Sequence, residues 1–363
     1  MKALSVCATL LLLLLLCAPL LPAANMLEVY LADVEGARVS LIVTPSGQAI
    51  LEDTGWRGLF DEKWNIIAPD DRDANRIAEM VKLSKVKQID YYVISHWDED
   101  HVGNISRARA KLPVPVLAFV DHGPPTPEDK GAQERYNAYL AVVGKAKRII
   151  VKPGDTLPMK GFDVRVVSSA GKTITDPLPG AGAPNPFCGA ASARPSRGEN
   201  PASVGLVYTF GKFRMIDLAD LTAGVEYQLM CPNNLVGTVD LFIVSHHGFN
   251  MSNSAALVHA LHPLAAIMPN GPKKGGQPGA WQIIHNSPGL QDIWQMHYTL
   301  DVGDENNAPE QFIANPQKEL DTKSFGAVLG DQGNYIQVSA RSDGTFTVTN
   351  SRNKLSKTYK PQR

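Results

Sequence analysis

The stretch that decides the fold is Ile89-Asp90-Tyr91-Tyr92-Val93-Ile94-Ser95-His96-Trp97-Asp98-Glu99-Asp100-His101-Val102-Gly103-Asn104. It begins with a mostly apolar run typical of a buried strand, and two histidines and two aspartates follow within six residues. Imidazole nitrogens and carboxylate oxygens are ligands for zinc, manganese or iron. An apolar core has no place for four such side chains together, because each needs a polar partner. A solvated acidic loop is the alternative, but the pattern favours a strand that ends in a metal-binding loop.

The N-terminal segment 1–24 is typical of a secretory signal peptide. Lys2 precedes an apolar stretch with an unbroken leucine run from Leu10 to Leu16, and Pro22-Ala23-Ala24 offers a cleavage site. A retained membrane anchor is the alternative. Beyond this segment no stretch approaches the roughly 20 apolar residues that span a bilayer. We therefore expect residues 25–363 to be exported, to the periplasm or outside the cell, without a stable membrane span.

Charge and cysteine content narrow the class of partner and the compartment. Without Lys2 the chain has 35 − 1 = 34 basic and 36 acidic residues, a formal charge of −2. A nucleic-acid partner finds no support in this charge, although local basic patches occur at 145–148 and at Lys273-Lys274. Cys7 and Cys17 lie in the signal segment. The remaining pair, Cys188 and Cys231, could form one disulfide in an oxidising compartment or remain two buried thiols.

Apolar and alternating runs predict many strands and a few helices along one domain. The predicted strands are 27–30, 39–43, 49–51, 89–94, 114–120, 148–151, 164–167, 203–210, 213–218, 241–244 and a final hairpin of 335–339 with 345–349. The predicted helices are 72–84, 254–261 and 288–296. Strands interspersed with helices in this proportion are typical of a layered α/β or α+β sandwich.

The order of these elements and motifs resembles the metallo-β-lactamase fold superfamily. Its signature, His-x-His-x-Asp-His after a strand, is present as His96-x-Asp98-x-Asp100-His101, with an aspartate in place of the second histidine. This variant is similar to the extracellular metallo-β-lactamase-like domain of ComEC-type competence proteins and their secreted relatives. Further matches are Asp33-Val34-Glu35-Gly36, Pro45-Ser46-Gly47, Asp53-Thr54-Gly55 and His246-His247-Gly248. The resemblance spans residues 27 to 275 and implies a four-layer αββα sandwich, with the rest of the chain as a C-terminal extension.

The resemblance also implies two divalent metal ions. His96 and Asp98 share a face of an extended loop and would bind the first ion, and Asp100 and His101 would bind the second. His247 would be the late histidine ligand. Zinc is the first expectation, with manganese or iron as alternatives, because a carboxylate in place of an imidazole makes the first site harder.

Two positions of the family pattern need interpretation. The family's Gly-Asp-Leu, which carries a bridging aspartate, aligns with Ala219-Asp220-Leu221, so Asp220 is favoured over Asp217 as the bridge. No histidine occurs between His122 and His246, so the family's middle histidine is missing. By position in the chain, Glu199 or Asn200 would replace this histidine as a ligand of the first ion. A water molecule is the third candidate.

Further side chains have expected roles near the ions. Asp100 and His246 are the predicted catalytic residues; His246 would hydrogen-bond a substrate or a ligand, with a structural role as the alternative. His122 would be a ligand, a proton donor or a structural residue. Asp53 would orient the ligating histidines.

The implied activity is hydrolysis by a metal-bound hydroxide, because a metal pair lowers the pKa of a bridging water. The expected substrate is a small-molecule or polymeric ester, and a phosphoester or phosphodiester is favoured by the resemblance. Hydrolysis of a β-lactam, lactone or carboxylester at the same site is one alternative. The other is a binding protein on a catalytically degenerate fold, which the missing histidine motivates.

Overall fold

The computed structural model describes residues 25–61, 66–127, 129–189, 198–320 and 329–361. The expected signal peptide lies outside these ranges. Within them, no helix has the length and apolar character needed to cross a membrane.

The described ranges contain nineteen strands and seven helices. In chain order the strands are β1 (Leu27–Leu31), β2 (Ser40–Val43), β3 (Ala49–Glu52), β4 (Gly58–Phe60), β5 (Ile66–Pro69), β6 (Tyr91–Val93), β7 (Ala118–Asp121), β8 (Lys147–Ile150), β9 (Asp163–Ser169), β10 (Lys172–Thr173), β11 (Gly205–Phe210), β12 (Phe213–Asp217), β13 (Leu241–Ile243), β14 (Ala265–Met268), β15 (Asp292–His297), β16 (Ile313–Asn315), β17 (Ile336–Ala340), β18 (Phe346–Asn350) and β19 (Ser356–Tyr359). The helices are α1 (Arg72–Ser84), α2 (Glu99–Val102), α3 (Ile105–Lys111), α4 (Lys130–Val143), α5 (Ala223–Met230), α6 (Ala255–Leu261) and α7 (Pro278–His285).

Two large sheets contain most of the strands. The first has the order β19-β18-β17-β1-β2-β3-β6-β7-β8, and the second has the order β10-β9-β11-β12-β13-β14-β15-β16. In the first sheet β3, β6, β7 and β8 run parallel to one another, and in the second β12 to β16 do so. Strands β4 and β5 form a separate hairpin.

The alternation of side chains along each strand produces the layers. In the first sheet Val29 and Ile42 point into a central core shared with the second sheet, while Tyr30 and Leu41 point the other way, toward α1 and α4. In the second sheet Met215 points into the central core, and its neighbour Ile216 lies in an outer core that includes residues of α5, α6 and α7. The molecule is therefore a four-layer αββα sandwich of the metallo-β-lactamase type, which confirms the predicted fold class.

The helix and strand predictions succeed where the sequence pattern is periodic. Helix α1 is confirmed from Arg72 to Ser84, and the hairpin of β17 and β18 is confirmed near its predicted bounds. The predicted helix 288–296 is wrong, because this segment contains β15, whose last five residues are all buried. A strand buried on both faces does not alternate in polarity, so periodicity could not distinguish it from a buried helix.

The C-terminal extension is part of both sheets. Strands β15 and β16 end the second sheet, and β17 pairs with β1 in the first. Trp294 and Phe346 are buried in the central core. The part of the chain beyond residue 275 therefore completes the sandwich rather than forming an appendage.

A buried arginine connects the two sheets. Arg38, in the loop before β2, donates a hydrogen bond of 3.0 Å to Glu52 at the end of β3 and contacts Asp217 at the end of β12. It also donates to Asp53 over 3.2 Å. Glu52 accepts further hydrogen bonds from Ser40 and Tyr208. Burial raises the pKa of Glu52 to about 7, although Arg38 opposes the shift.

We expect Arg38→Met to destabilise the protein strongly. The variant leaves three buried carboxylates without their shared cation, and breaking a buried ion pair in this way costs about 3–5 kcal/mol. The free energy of unfolding in urea measures the effect. Arg165→Met is the matched control, since the ion pair of Arg165 with Asp163 is solvent-exposed and its loss should change stability by less than about 1 kcal/mol. Equal stability of the two variants would contradict this role of Arg38.

The structure resolves the alternative left open for the cysteines, since Cys188 and Cys231 are joined by a disulfide. The bond connects the segment between β10 and β11 to the residue after α5, across a sequence separation of 43 residues. We expect the double variant Cys188→Ser/Cys231→Ser to lose about 2–4 kcal/mol of unfolding free energy, because it releases a closed loop in the unfolded chain. Urea unfolding of the oxidised protein and the variant tests this, and identical midpoints would contradict it.

Candidate metal centre

The predicted ligands lie at one edge of the sandwich because they follow parallel strands. Asp53 follows β3, the loop from His96 to His101 follows β6, Asp220 follows β12 and His247 follows β13. The carboxyl ends of neighbouring parallel strands meet at the same sheet edge. The first sheet thus contributes one part of the centre and the second sheet the other.

Four of the predicted ligands form a compact buried cluster. Asp100 Oδ2 lies 3.0 Å from His247 Nε2 and 3.1 Å from His101 Nε2. Asp220 Oδ2 lies 3.2 Å from His101 Nε2 and 3.4 Å from His247 Nε2. One ligand atom from each of the four residues lies within 4.8 Å of all the others. The structure therefore brings together residues that are as much as 147 positions apart in the chain.

The other two predicted ligands lie next to this cluster. His96 Nε2 is 3.5 Å from Asp98 Oδ2, and the rings of His96 and His101 have centroids 4.1 Å apart. His96 is fully buried, whereas the Asp98 side chain is 31 % exposed. Asp98 Oδ1 also lies 3.7 Å from Arg135 Nη2. His96 and Asp98 thus form a second, more open pair of donors beside the buried four.

The backbone near the ligands adopts a conformation that most residues avoid. Asp53, Ala219, His246 and His247 have φ values of 57°, 50°, 51° and 52°. Left-handed backbone at non-glycine residues costs energy and is concentrated at functional sites. Here it turns the chain sharply after three strands and directs the ligand side chains toward one point.

Hydrogen bonds on the far side of each imidazole fix the ring orientations. His101 Nδ1 lies 2.8 Å from Asp53 Oδ2, and His247 Nδ1 lies 2.9 Å from the carbonyl oxygen of Pro269. Ser95 donates to Asp53 through both its backbone N–H and its hydroxyl, each over 2.8 Å. A partner on Nδ1 leaves Nε2 facing the centre, which is the arrangement that orients a metal-ligating histidine.

The electrostatics of the cluster favour positive charge at its centre. Burial alone would raise the pKa of Asp100, but Lys274 and His101 outweigh it and hold that pKa well below its ordinary range. Burial likewise opposes ionisation of Asp220, but the three surrounding histidines keep the pKa of Asp220 well below its usual value. Burial lowers the pKa of His101, yet Asp220, Asp100 and Asp53 hold it well above the ordinary value.

Several donor atoms of the centre lack a hydrogen-bond partner among the described residues. They are His96 Nε2, His101 Nε2 and Asp220 Oδ1, and all are buried. An unsatisfied buried polar atom is costly, so each such atom requires an explanation. Imidazole nitrogens and carboxylate oxygens are the donors that divalent zinc, manganese or iron accept. The residues present therefore fit a centre that binds divalent cations.

Of the two candidates for the missing histidine, Asn200 lies beside His246 and Glu199 lies beside His122. Glu199 Oε1 accepts hydrogen bonds from the backbone N–H and the hydroxyl of Thr126, over 2.7 and 3.0 Å. Its Oε2 lies 3.2 Å from His122 Nε2, so the two side chains pair with each other. Asn200 Nδ2 lies 3.4 Å from His246 Nε2, and Asn200 Oδ1 has no hydrogen-bond partner in the described structure.

Of the remaining candidates, His246 lies beside Asp220, whereas Asp217 lies beside Arg38. His246 Nε2 is 3.5 Å from Asp220 Oδ2, and its Nδ1 is 3.1 Å from the Ser252 hydroxyl. Burial lowers the pKa of His246 to about 4, so its imidazole is neutral at neutral pH. Asp217 contacts Arg38 and accepts a 3.1 Å hydrogen bond from the backbone N–H of Ala219, which places it in the arginine network.

The sequence analysis missed Lys274 as a member of the centre. Its Nζ donates a hydrogen bond to Asp100 Oδ2 and another, of 2.7 Å, to the carbonyl oxygen of Gly36. It also lies 4.9 Å from the ring centroid of Trp56. In the sequence it appeared only as part of a basic patch. The signal that could have identified it is the glycine-rich segment 270–276, which follows a parallel strand like the other ligand loops.

Comparison with known proteins agrees with the architecture. Residues 33–183 match the family described as the Metallo-beta-lactamase superfamily. No curated protein matches the chain.

Similar solved structures have low sequence identity. The metallo-beta-lactamase fold protein YhfI from Bacillus subtilis is 11 % identical with a TM-score of 0.45, over 75 % of this chain and 96 % of that one. CmlA, a diiron beta-hydroxylase from Streptomyces venezuelae, is 15 % identical with a TM-score of 0.38, over 69 % of this chain and 46 % of that one. A diphosphatase from the PhnP family is 12 % identical with a TM-score of 0.35, over 66 % and 85 %.

The matched stretch 33–183 carries Asp53 and the loop from His96 to His101, and the fold around it is the αββα sandwich described above. Residues 33–183 of this chain are therefore similar in sequence to the metallo-beta-lactamase superfamily.

Proposed function

We propose that this chain is an exported hydrolase that binds two divalent ions and cleaves phosphoesters, with phosphodiesters as the favoured class. The observation that carries the proposal is the buried cluster of Asp100, His101, Asp220 and His247. Its members converge from both sheets, and His101 Nε2 and Asp220 Oδ1, which make no hydrogen bond within the described structure, are donors suited to a cation.

The donor atoms divide into two groups. His96, Asp98 and Asn200 would hold the first ion, and Asp100, His101 and His247 the second, with Asp220 between them. Zinc is the first expectation, and manganese or iron are the alternatives because four of these seven side chains offer oxygen. Such a metal pair supplies Lewis acidity and a water molecule of lowered pKa.

The side chains of this chain prepare the site for hydrolysis. Asp53 and the carbonyl oxygen of Pro269 hold two imidazole rings so that their Nε2 atoms face the cluster. His246 is neutral at neutral pH, and its Nδ1 contacts the Ser252 hydroxyl. The Ser252 hydroxyl can donate a hydrogen bond to Nδ1, which puts the ring proton on Nε2, where it can donate a hydrogen bond to an oxygen of the substrate.

The choice of substrate rests on chemistry that the fold alone does not specify. The phosphoester preference comes from the resemblance of the His96-x-Asp98-x-Asp100-His101 motif to ComEC-type and phosphorylcholine-esterase-like domains. The substrate would be either a small-molecule or a polymeric ester. A net charge of −2 without the signal segment gives no support to nucleic acid as the substrate. Carbonyl esters, lactones and β-lactams are the alternative class.

Export is supported by two features of the chain. The segment 1–24 has the composition of a secretory signal. The disulfide between Cys188 and Cys231 belongs to a class of bond that persists in oxidising compartments and is rare in the cytosol.

We expect residues 25–363, loaded with zinc or manganese, to hydrolyse a chromogenic phosphodiester, and His101→Ala to lose about 100-fold or more of this activity. His101 faces both Asp100 and Asp220, so its loss removes a central donor, whereas residues that only orient ligands typically cost 10–100-fold. His285→Ala, which changes an exposed histidine at the end of α7, is the control.

Each outcome of this assay has a clear meaning. Turnover without metal dependence would refute the proposed mechanism. Two bound ions without phosphodiester turnover would move the activity to carbonyl esters and lactams. Little bound metal and no turnover would identify a degenerate binding protein.

We expect Asn200→Ala to lower the metal content from two ions per chain toward one, and Glu199→Gln to leave it unchanged. The reason is that Asn200 faces His246 with an unpaired Oδ1, while both Glu199 oxygens face Thr126 and His122. Metal analysis after gel filtration measures the effect. Loss of metal in Glu199→Gln alone would assign the missing ligand position to Glu199 instead.

A further inference from the structure

The structure assigns Lys274 a binding role: we propose that its ammonium group holds an anionic oxygen of the substrate and makes the centre selective for negatively charged esters. This inference rests on the proposed function, because it names the substrate class of the same site. It depends on the position of Lys274 against Asp100, on its hydrogen-bonding capacity and on the charge of the centre.

The position of Lys274 is fixed by two loops. The backbone N–H of Gly271 donates a 2.8 Å hydrogen bond to the Lys274 carbonyl oxygen, and Nζ binds the Gly36 carbonyl oxygen. A side-chain carbon at Gly36 would lie 2.9 Å from the Gly271 nitrogen, and Gly36 has a φ of +78°. Only glycine permits this close approach. The stem of Lys274 therefore enters the centre between tightly packed loops, beside the ring of Trp56.

The ammonium group has hydrogen-bonding capacity left for a ligand. A lysine has three N–H donors, and hydrogen bonds to Gly36 and Asp100 account for two acceptors among the described residues. The Lys274 side chain remains 15 % exposed, so the group is not sealed in the core. A carboxylate has several lone pairs, so Asp100 can keep Lys274 and still offer an oxygen lone pair to a cation. An anion bound at the cluster would thus lie next to the ammonium.

The ammonium group of Lys274 makes the net charge of the centre more positive. Asp98, Asp100 and Asp220 contribute −3, and Lys274 brings the sum to −2 with neutral histidines. Two divalent ions contribute +4, so the loaded centre carries +2 with Lys274 and +1 without it. A more positive centre attracts an anionic substrate more strongly and gains nothing with a neutral ester.

A role confined to neutralising Asp100 is the competing explanation, and the geometry disfavours it. Asp100 Oδ2 already lies 3.0 Å from His247 Nε2 and 3.1 Å from His101 Nε2. Asp220 contacts the same two imidazoles, is even less exposed, and has no lysine or arginine ion pair among the described residues. The two imidazoles therefore hold an equivalent carboxylate in place without a lysine beside it.

The test compares zinc-loaded wild type with Lys274→Met and with Lys274→Gln, which retains an N–H donor for Gly36 and so protects the fold. Lys273→Met, in the same loop with an exposed side chain, is the matched control. Titration calorimetry with inorganic phosphate gives the anion affinity, and metal analysis gives the occupancy. Kinetics with a phosphodiester and with a neutral acetate ester give the selectivity.

We expect both Lys274 variants to retain two ions, to bind phosphate at least tenfold more weakly, and to lose at least tenfold in kcat/KM for the phosphodiester relative to the acetate ester. Lys273→Met should match the wild type in all three measurements. Unchanged phosphate affinity in fully loaded Lys274→Met and Lys274→Gln would overturn the inference. A change in metal content alone would also overturn it, because Lys274 would then act only as a counter-ion of Asp100.

Failure of this inference and failure of the proposed function give different results. If the wild type binds phosphate through Lys274 but cleaves no phosphodiester, the anion site stands and the proposed activity is wrong. If the wild type cleaves phosphodiesters and the Lys274 variants do so equally well, the activity stands and the role of Lys274 is wrong.

Discussion

The ion pair between Arg38 and Asp53 is the interaction on which the rest of the centre depends. Besides Asp53, Arg38 contacts Glu52 at the end of β3 and Asp217 at the end of β12. Its guanidinium therefore connects strands of both sheets. Asp53 in turn holds His101 by its Nδ1 atom. Because a buried carboxylate without its cation is costly, the position of this arginine controls both the packing of the sheets and the direction of a central imidazole.

The centre is divided between the two sheets. Both sheets contribute histidine and aspartate side chains, and the second also contributes a lysine. The first sheet contributes the histidine and aspartate motif that follows β6, whereas the second contributes Asp220, His247 and, through the loop after β14, Lys274. The strands of the C-terminal extension close both sheets around the shared core. A change in how the sheets pack would therefore alter distances within the cluster directly, since no single loop contains a complete set of donors.

Local patterns explain which parts of the fold could be predicted. The amphipathic spacing of α1 and the alternation in β17 and β18 indicate elements with one buried and one exposed face. Those elements are confirmed. Helix α4 was not predicted, because its apolar residues form only a weak stripe among polar neighbours. The segment that contains β15 was assigned to a helix, because a strand covered on both faces has no alternation to reveal it.

The sequence by itself determined the fold class, the order of the strands that end in ligand loops, and the chemical types of the donors. Side-chain period predicts a layered sandwich, the resemblance of the motifs implies its αββα order, and the donor types follow from residue identity within a few positions. Only the tertiary structure decided that Asn200 lies beside His246 while Glu199 lies beside His122, that Cys188 pairs with Cys231, and that Lys274 contacts Asp100. The physical reason is that each of these contacts joins residues far apart in the chain, or depends on which side of a turn a side chain leaves. Such geometry arises from the packing of the two sheets and is not encoded in any short segment.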